Sequence, residues 1–279
     1  MDAQELSLRI VPLDSVILHE QVEHERVEKL KRRLEQDRVL KNPPIVSRTI
    51  GHDGEPRYIV LDGATRTTAL REIICCDIIV QVVDYHSPQL VLEAWNHMLL
   101  NAPRERLLDD VSGIPGLSLT TTSEEAASAA LERREIIGYF LLADGSARAL
   151  SGGSDFPVQA DLLNRVVETY DRKYQMYRVA HTDVERLAAE HQQLTAIMVF
   201  PRFTPGEIEK LAISGAKLPM GVTRHIIPGR ALRINIPLDI LESDDSLDEK
   251  NVWVDDWLKR KIRDRHVRFY QEPVFLFDE

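Results

Sequence analysis

The stretch VLDGATRTTAL (60–70) places side chains that bind metals and phosphate at the point where a predicted strand turns into a helix. Asp62 ends that strand, where α/β folds commonly bind ligands, and Gly63 permits a close backbone approach, so Asp62 could hold Mg²⁺. The first helical turn offers free backbone N–H groups and three polar side chains to a phosphate, Thr65, Arg66 and Thr67. The ordinary alternative is that Asp62 and Thr65 cap the helix and Arg66 is solvated.

Polar side chains elsewhere in the chain could belong to the same chemistry. Glu20, in LHEQ, lies in a turn before the first predicted helix, where a carboxylate serves either as a helix-start acid or as a general base. A loop at 217–230, bracketed by Pro and Gly, carries a cluster that could bind a carboxylate or a phosphate, Thr223, Arg224 and His225. Surface loops of this composition are also common without a ligand.

Trp95 and His97 lie in LEAWNHM, which we interpret as part of a mostly apolar helix. An indole on such a helix is more often part of the core than a platform for a ligand. The pattern alone therefore favours packing for these two residues.

The first hundred residues have the pattern of a small α/β domain. The sequence predicts an amphipathic helix and then two strands, at 22–37, 43–47 and 57–63. A helix from Ala64 to about Cys75 leads into a strand at 77–85, which completes a strand–helix–strand unit. We expect this first domain to span 1–100.

The remainder, 101–279, predicts a second domain of mixed α/β type, entered through a connecting segment at 101–117. Its predicted helices are 124–135, 158–174, 204–215 and 243–265, and its predicted strands are 136–144, 195–200, 231–238 and 267–277. The helix at 204–215 is marked most clearly, because Thr204 and Glu207 match a capping box and Gly215 follows the last turn. The fold class is therefore α/β, mixed α+β, in two domains.

Composition limits the classes of function. The 279 residues carry a formal net charge of −10, which disfavours tight nonspecific DNA binding but leaves room for a local basic patch. No apolar run has bilayer length and no leader is evident, so we expect a cytoplasmic protein without a membrane partner. The adjacent Cys75 and Cys76 suit neither a disulfide nor a zinc site. The common glycine-rich nucleotide motifs do not occur, so a nucleotide site must be unconventional.

Four motifs in this order, LHEQ, YIVLDGATR, LEAWNH and GVTRHIIPGR, resemble the free L-serine kinases of the ParB/sulfiredoxin-like superfamily. The resemblance is strongest to the branch of staphyloferrin B siderophore biosynthesis, where it includes the C-terminal VRFYQEPVFLFDE, and weaker to the archaeal ADP-dependent branch. It implies a ParB/sulfiredoxin-like N-terminal lobe that binds nucleotide and a second lobe that completes an amino-acid site.

The resemblance also implies an activity, the transfer of a phosphoryl group from ATP or ADP to the hydroxyl of free L-serine, giving O-phospho-L-serine, with Mg²⁺. Glu20 would match the family's catalytic acid, which accepts the hydroxyl proton, and Asp62 would lie near the metal. The phosphate-binding segment would comprise Gly63, Ala64, Thr65, Arg66 and Thr67. The amino-acid site would be lined by Trp95, His97, Thr223, Arg224 and His225. A homodimer is left open.

The chain departs from the family motif Asp-Gly-x-His-Arg, because Thr65 stands in the position of the histidine. A threonine hydroxyl is uncharged and has a shorter reach, so its contact with a phosphate would be weaker. Three alternatives follow. The chain is a kinase in which another histidine substitutes, from among His24, His97 and His225; it is a kinase with another donor or acceptor; or it is a ParB-like regulator that binds nucleotide without turnover.

Two competing classes are less well supported by the residues. A ParB-like regulator would contact DNA or a protein partner, and no helix-turn-helix with a basic recognition face is evident. A sulfiredoxin-like reductase would need a reactive cysteine beside the phosphate-binding turn. Cys75 and Cys76 instead lie near the far end of the predicted helix.

Overall fold

The computed structural model describes residues 6–73 and 75–270. Contacts within the chain divide it into two compact units. Unit 1 is drawn from Met1–Leu18, Val22–Val91 and Ile226–Glu279, and unit 2 from His19–Gln21 and Leu92–His225. No helix in the described part of the chain is both long enough and apolar enough to cross a membrane.

The described residues form short strands and helices in alternation, as expected for a mixed α/β fold. The strands are β1 (Leu8–Pro12), β2 (Val16–Leu18), β3 (Val39–Leu40), β4 (Ile45–Ile50), β5 (Pro56–Asp62), β6 (Asp77–Val83), β7 (Val91–Ala94), β8 (Asn96–Leu100), β9 (Leu117–Thr122), β10 (Gly138–Leu142), β11 (Ala147–Gly152), β12 (Gln175–Val179), β13 (Leu194–Val199), β14 (Thr223–Ile226) and β15 (Ile236–Pro237). The helices are α1 (His24–Asp37), α2 (Ala64–Glu72), α3 (Arg104–Ser112), α4 (Glu124–Glu132), α5 (Phe156–Glu168), α6 (Val184–Glu190), α7 (Pro205–Ser214), α8 (Leu238–Glu242) and α9 (Leu247–Arg263).

A five-stranded mixed sheet, in the order β1-β6-β4-β5-β2, forms the centre of unit 1. The pairs β1/β6 and β4/β5 are antiparallel, and the pairs β4/β6 and β2/β5 are parallel. The strands contribute buried Val and Ile side chains such as Val46, Val60 and Ile79, and α1 adds Val27 and Leu34 from its apolar face. This core fixes the C-terminal end of β5, where Asp62 lies.

The C-terminal segment belongs to unit 1, which differs from the predicted division into 1–100 and 101–279. Helix α9 lies along β1, where Asn251 receives a hydrogen bond from the backbone N–H of Ile10 and donates one to its carbonyl. Lys250 is buried and donates to the Asp77 carboxylate at 2.6 Å. A buried ammonium needs such a partner, so these contacts tie α9 to the sheet. The contact-based division differs from a linear boundary because this packing joins residues about 170 positions or more apart in sequence.

Unit 2 contains a six-stranded antiparallel sheet in the order β12-β8-β13-β10-β11-β9. The central strand β10 is buried along its whole length, so its residues alternate between two covered faces. Tyr139 and Leu141 pack with residues of α4 and α6, whereas Phe140 contacts the ring of Tyr170 just after α5. Helix α7 begins with the predicted capping box of Thr204 and Glu207.

The predicted helix in LEAWNHM is wrong. This segment forms β7 and β8, separated by Trp95. Strand β8 lies inside the unit 2 sheet between β12 and β13, and all of its residues are buried. A short apolar run has the same composition in a buried helix and in a strand covered on both faces, so periodicity could not distinguish them.

Other predicted boundaries also differ from the structure. Helix α3 occupies the predicted connecting segment, β14 lies within the predicted loop at 217–230, and the predicted strand at 231–238 is reduced to β15. The predicted strand at 267–277 begins with residues 267–270, which are not in a strand, and its remainder lies outside the described residues. The first and last of these segments lack the capping box that identified α7 and the long apolar run that identified β10, and the alternation at 231–238 did not lead to a strand of that length.

The substitution Gly63→Ala is expected to lower the free energy of unfolding by about 1–3 kcal/mol. Gly63 has φ of 102°, and a Cβ atom there would lie 2.9 Å from the Cα of Pro44. The matched control is Gly206→Ala, because nothing lies within 4 Å of a Cβ at that position in α7. Chemical denaturation followed by circular dichroism measures both variants. Equal stability of the two would contradict this account of the turn.

Candidate functional site

The end of β5 and the first turn of α2 bring the predicted phosphate-binding residues together in unit 1. Gly63 is the N-cap residue, and no side chain caps α2, so the alternative in which Asp62 and Thr65 cap the helix is wrong. Thr65 lies partly exposed in the first turn. Thr67 instead is fully buried and donates its hydroxyl to the Gly63 carbonyl. The backbone N–H of Thr67 donates to the same carbonyl. Thr67 therefore offers no free donor to a ligand.

Two arginines converge on Asp62. Arg66 donates to its Oδ2 atom at 3.0 Å, and Arg230 donates to the same atom at 2.9 Å. Arg66 also donates to the carbonyls of Asn42 and Pro43, each at 3.1 Å. Charge-assisted hydrogen bonds of this kind fix the direction of a guanidinium. Asp62 thus holds two cations at the N-terminal end of α2, where free N–H groups and the helix dipole also favour an anion.

A pocket of about 300 Å³ in unit 1 adjoins this cluster, because Arg66 is one of its lining residues. Its apolar lining comes from α1 and β3, with Leu30, Leu34, Val39 and Leu40. Its polar lining comprises Arg33, Asp37, Lys41, Asn42, Arg66, Arg233 and Asn235. The pocket thus combines an apolar wall with a larger set of polar and mostly cationic side chains, which suits a small anionic ligand.

Glu20 lies in unit 2 and is held by backbone N–H groups from a distant segment. Its neighbours in the chain pair with Leu218, which brings the segment at 221–223 to the carboxylate. Gly221 donates to Oε2 at 2.9 Å, and Val222 and Thr223 donate to Oε1 at 3.1 and 2.6 Å. The Thr223 hydroxyl donates to Oε1 at 2.6 Å as a fourth bond. Glu20 is therefore a fixed carboxylate and not a solvated helix-start acid.

A histidine pair lies behind this carboxylate. His19 Nε2 is 2.9 Å from Thr223 Oγ1, and the rings of His19 and His225 meet edge to face at 5.5 Å. His19, Thr223 and His225 are all buried. On the other side, the Arg178 guanidinium lies against Gly221, in space that a Cβ atom would fill. The glycine at this position, with φ of 64°, thus permits the close approach.

Trp95 and Arg224 lie together in unit 2. The Arg224 guanidinium is 4.5 Å from the centre of the Trp95 ring, and it forms an ion pair with Glu93 at 3.1 Å. The backbone N–H of Trp95 donates to the Val222 carbonyl at 2.8 Å, which links this group to the segment that holds Glu20. The structure thus brings the predicted residues Trp95, Thr223 and Arg224 into one region of unit 2.

His97 is placed differently from the other predicted amino-acid-site residues. Its side chain is fully buried, and its Nδ1 atom is 2.8 Å from the hydroxyl of Tyr170. Burial lowers the pKa of His97 to about 3, with the Arg178 charge as a smaller cause, so the imidazole is neutral at neutral pH. A direct contact between His97 and a substrate stays a prediction, and its burial favours a supporting role.

The structure shows the surroundings of the three histidines that were considered as substitutes for the family histidine at Thr65. His24 lies beside Glu28 and Glu72, with their potential ligand atoms within 4.8 Å of one another. Glu72 ends α2, and the helix rise puts it about 10 Å from Thr65. His97 is neutral, and His225 is buried against His19. His24 thus lies toward the far end of α2 from Thr65, and a substitute from unit 2 stays a prediction that the burial of His97 and His225 does not favour.

Sequence reasoning missed Arg230, His19, Glu93 and Arg178. Arg230 and His19 stand inside the quoted motifs GVTRHIIPGR and LHEQ, so their position next to predicted site residues was the available signal. Arg178 lies on the edge strand β12, and nothing in its local sequence marks it. The backbone N–H groups that bind Glu20 also carry no side-chain signal.

Comparisons with known proteins identify relatives across the whole chain. No protein-family model matches it. The ATP-dependent L-serine kinase SbnI of Staphylococcus aureus (strain NCTC 8325 / PS 47) is 28% identical over 274 residues, which is 98% of this chain and 97% of that protein. The structure of C-terminally truncated SbnI matches with a TM-score of 0.70 at 25% identity and covers 91% of this chain and 97% of that one.

A free serine kinase in complex with AMP matches the structure with a TM-score of 0.72 at 18% identity, over 85% of this chain and 94% of that chain. At this identity the match shows the fold alone. The predicted mixed α/β class and the resemblance to free serine kinases are both confirmed. This chain is homologous to the L-serine kinase SbnI and has the fold of the free serine kinases.

Proposed function

We propose that this protein transfers the terminal phosphoryl group of ATP to the hydroxyl of free L-serine, giving O-phospho-L-serine and ADP. The observation that carries the proposal is the Glu20 carboxylate, which four hydrogen bonds hold in place, in a chain homologous to an L-serine kinase over 98% of its length. Such a carboxylate suits a general base, because its position is fixed before the substrate arrives. ATP is preferred over ADP because the homologue is named ATP-dependent.

The nucleotide would bind in unit 1. The apolar walls formed by Leu30 and Leu34 suit the face of a base, and Asn42 and Asn235 offer hydrogen bonds. Arg66 lines this pocket and also binds Asp62, so a nucleoside in the pocket would direct its phosphates toward α2. The N–H groups of the first turn, Arg66 and Arg230 would then share the phosphate charge.

Asp62 is the residue that would hold Mg²⁺. Magnesium prefers oxygen ligands and commonly binds through one or two carboxylates together with substrate phosphates and water. Both arginines donate to Oδ2, so Oδ1 of Asp62 would be the oxygen left for a metal. The ion would supply charge neutralisation for the transferring phosphoryl group. The donor set of this chain fits that role.

The amino acid would bind in unit 2 next to Glu20. Glu93 and Arg224 carry opposite charges, which match the ammonium and carboxylate groups of free serine. The Trp95 ring holds the Arg224 guanidinium in a defined orientation. Thr223 and His225 contribute to the same region, although both are largely buried.

The chemical step asks mainly for alignment and electrostatic stabilisation, because the phosphoryl group passes through a loose transition state. The serine oxygen forms a bond to the terminal phosphorus while the bond to the bridging oxygen of ADP breaks. Glu20 would accept the serine hydroxyl proton, and Arg66 and Arg230 would bind the phosphates of the nucleotide. The product carries phosphate as a leaving group on Cβ, so we infer that a biosynthetic step consumes it.

We infer a cytoplasmic location, where ATP and free serine are both available.

Release of ADP tests the proposal. Purified protein with Mg²⁺ and ATP should release ADP at a rate that depends on L-serine, with little release in the absence of an amino acid. L-Threonine in place of L-serine is the control for the acceptor, and ADP in place of ATP, with release of AMP measured instead, is the control for the donor. ADP release at the same rate with and without L-serine would indicate ATP hydrolysis and contradict the proposal.

The substitution Thr65→His is expected to raise kcat/KM for ATP about tenfold, because a histidine adds a longer and chargeable donor in the first turn of α2, worth roughly 1–2 kcal/mol. The matched control is Thr49→His in β4 of the same unit. Thr49 lies opposite Arg57, at the far end of the β4/β5 ladder from Asp62. Steady-state kinetics with varied ATP measures both variants. If Thr65→His changes neither ATP affinity nor rate, residue 65 does not contact the nucleotide.

A further inference from the structure

The hydrogen bonds around Glu20 assign a proton to His19. Thr223 Oγ1 carries a single hydrogen, and its 2.6 Å contact with the carboxylate oxygen Oε1 uses that hydrogen. The remaining contact of Oγ1, at 2.9 Å to His19 Nε2, must then have the histidine as donor. His19 is therefore assigned a proton on Nε2, and the order of donation is His19 to Thr223 to Glu20.

The two carboxylate oxygens of Glu20 differ in the number of hydrogen bonds that they accept. Oε1 accepts three hydrogen bonds, from the N–H groups of Val222 and Thr223 and from the Thr223 hydroxyl. Oε2 accepts one, from the N–H of Gly221. A carboxylate oxygen has about two lone-pair sites, so Oε1 is saturated and Oε2 retains one. The Glu20 side chain is 14% exposed, so it is not completely sealed from solvent.

We propose that His19 and Thr223 are positioning residues that make Oε2 of Glu20 the atom that accepts the serine proton. This inference rests on the proposed kinase function and adds the role of His19. During transfer the serine O–H bond breaks, its proton moves to Oε2, and the serine oxygen bonds to phosphorus as ADP departs. His19 keeps its own proton throughout. Its task is to stop the Thr223 hydroxyl from rotating away from Oε1, because the carboxylate would then lose one of its four bonds and turn.

The substitution His19→Leu tests this role. It removes the Nε2 donor and is expected to lower kcat about tenfold or more while KM for L-serine stays unchanged, because a small misplacement of a base slows the chemical step. His19→Gln should recover most of the lost kcat, since its amide N–H can reach the position of Nε2. The matched control is His191→Leu, which removes a histidine that stacks on Tyr177 in the same unit and should keep wild-type kinetics.

The double variant His19→Leu/Thr223→Val separates positioning from general packing. If His19 acts through the Thr223 hydroxyl, the double variant should have the same kcat as Thr223→Val alone. Three results would each overturn the inference. The first is a double variant whose loss of kcat equals the product of the two single losses. The others are equal kcat in His19→Gln and His19→Leu, and wild-type kcat in His19→Leu. If His19→Leu does not fold, Thr223→Val alone decides. A reduced kcat with intact AMP binding supports the inference, and an unchanged kcat contradicts it.

Wild-type activity separates this inference from the proposed function. A folded wild-type protein without serine-dependent turnover contradicts the kinase proposal itself. Turnover by the wild type together with unaffected His19 and Thr223 variants contradicts only the assignment of Oε2.

Discussion

The substitution Glu20→Gln is expected to reduce serine-dependent turnover by about 10³-fold, since general-base catalysis contributes about 10²–10⁴-fold. The glutamine oxygen can occupy the place of Oε1 and accept from Val222 N–H and from both donors of Thr223. Its amide nitrogen would occupy the place of Oε2, where it can accept neither a proton nor the hydrogen bond from the Gly221 N–H, so three of the four bonds to residue 20 remain. The fold and the affinity for AMP should therefore stay close to those of the wild type.

Steady-state kinetics and AMP titration by calorimetry measure these two properties separately. The matched control is Glu190→Gln, which removes an exposed carboxylate of α6 that pairs with Arg186 in the same unit. This control should retain full turnover. Activity of Glu20→Gln within the range of the control would remove Glu20 from the chemical step.

The second large effect is expected for Arg66→Ala, which should lower kcat/KM for ATP by about 10²-fold or more, in line with the loss of a charged group that stabilises phosphate. Arg66 donates to Asp62 and to the carbonyls of Asn42 and Pro43, so its guanidinium is fixed at the pocket. Arg66→Lys keeps the charge but cannot donate to all three partners in the same planar arrangement. We expect Lys to restore only a small part of the activity.

Arg57→Ala provides the matched control for Arg66→Ala. Arg57 also pairs with an aspartate four residues away, Asp53, and lies toward the opposite end of β5. ATP kinetics and chemical denaturation should be measured for both variants, because Arg66 also supports the loop before β4. A loss of ATP use that exceeds the loss of stability supports phosphate binding. Equal kcat/KM in the two variants would contradict it.

The parts of the fold that were predictable from sequence are those with strong local signals. The capping box at Thr204 and Glu207 identified the start of α7, and the apolar runs identified β10 and β13. The segment LEAWNHM was misinterpreted because it is covered on both faces in the sheet, a property of the tertiary structure. The assignment of α9 to unit 1 depends on the pairing of Lys250 with Asp77, which no local pattern reveals.

The candidate site likewise contains residues that local sequence could identify and residues that depend on contacts distant in sequence. Asp62, Gly63 and Arg66 are near in sequence, so the strand-to-helix turn at Gly63 could be inferred directly from local pattern. Glu20 was only a weak candidate from local pattern, because the N–H groups that donate to its carboxylate lie about 200 residues away, at 221–223. Arg230 reaches Asp62 across 168 residues and was missed for the same reason. Resemblance to the serine kinases supplied the link that local patterns lacked.

Direct detection of the product tests the central claim most directly. Purified protein, Mg²⁺, ATP and L-serine should be followed by ³¹P NMR and mass spectrometry, with L-threonine and no amino acid as controls. The account predicts a new phosphomonoester resonance and the mass of O-phospho-L-serine only when L-serine is present, together with ADP. The kinase assignment would be contradicted if folded protein gave no phosphorylated amino acid either with ATP or with ADP as donor.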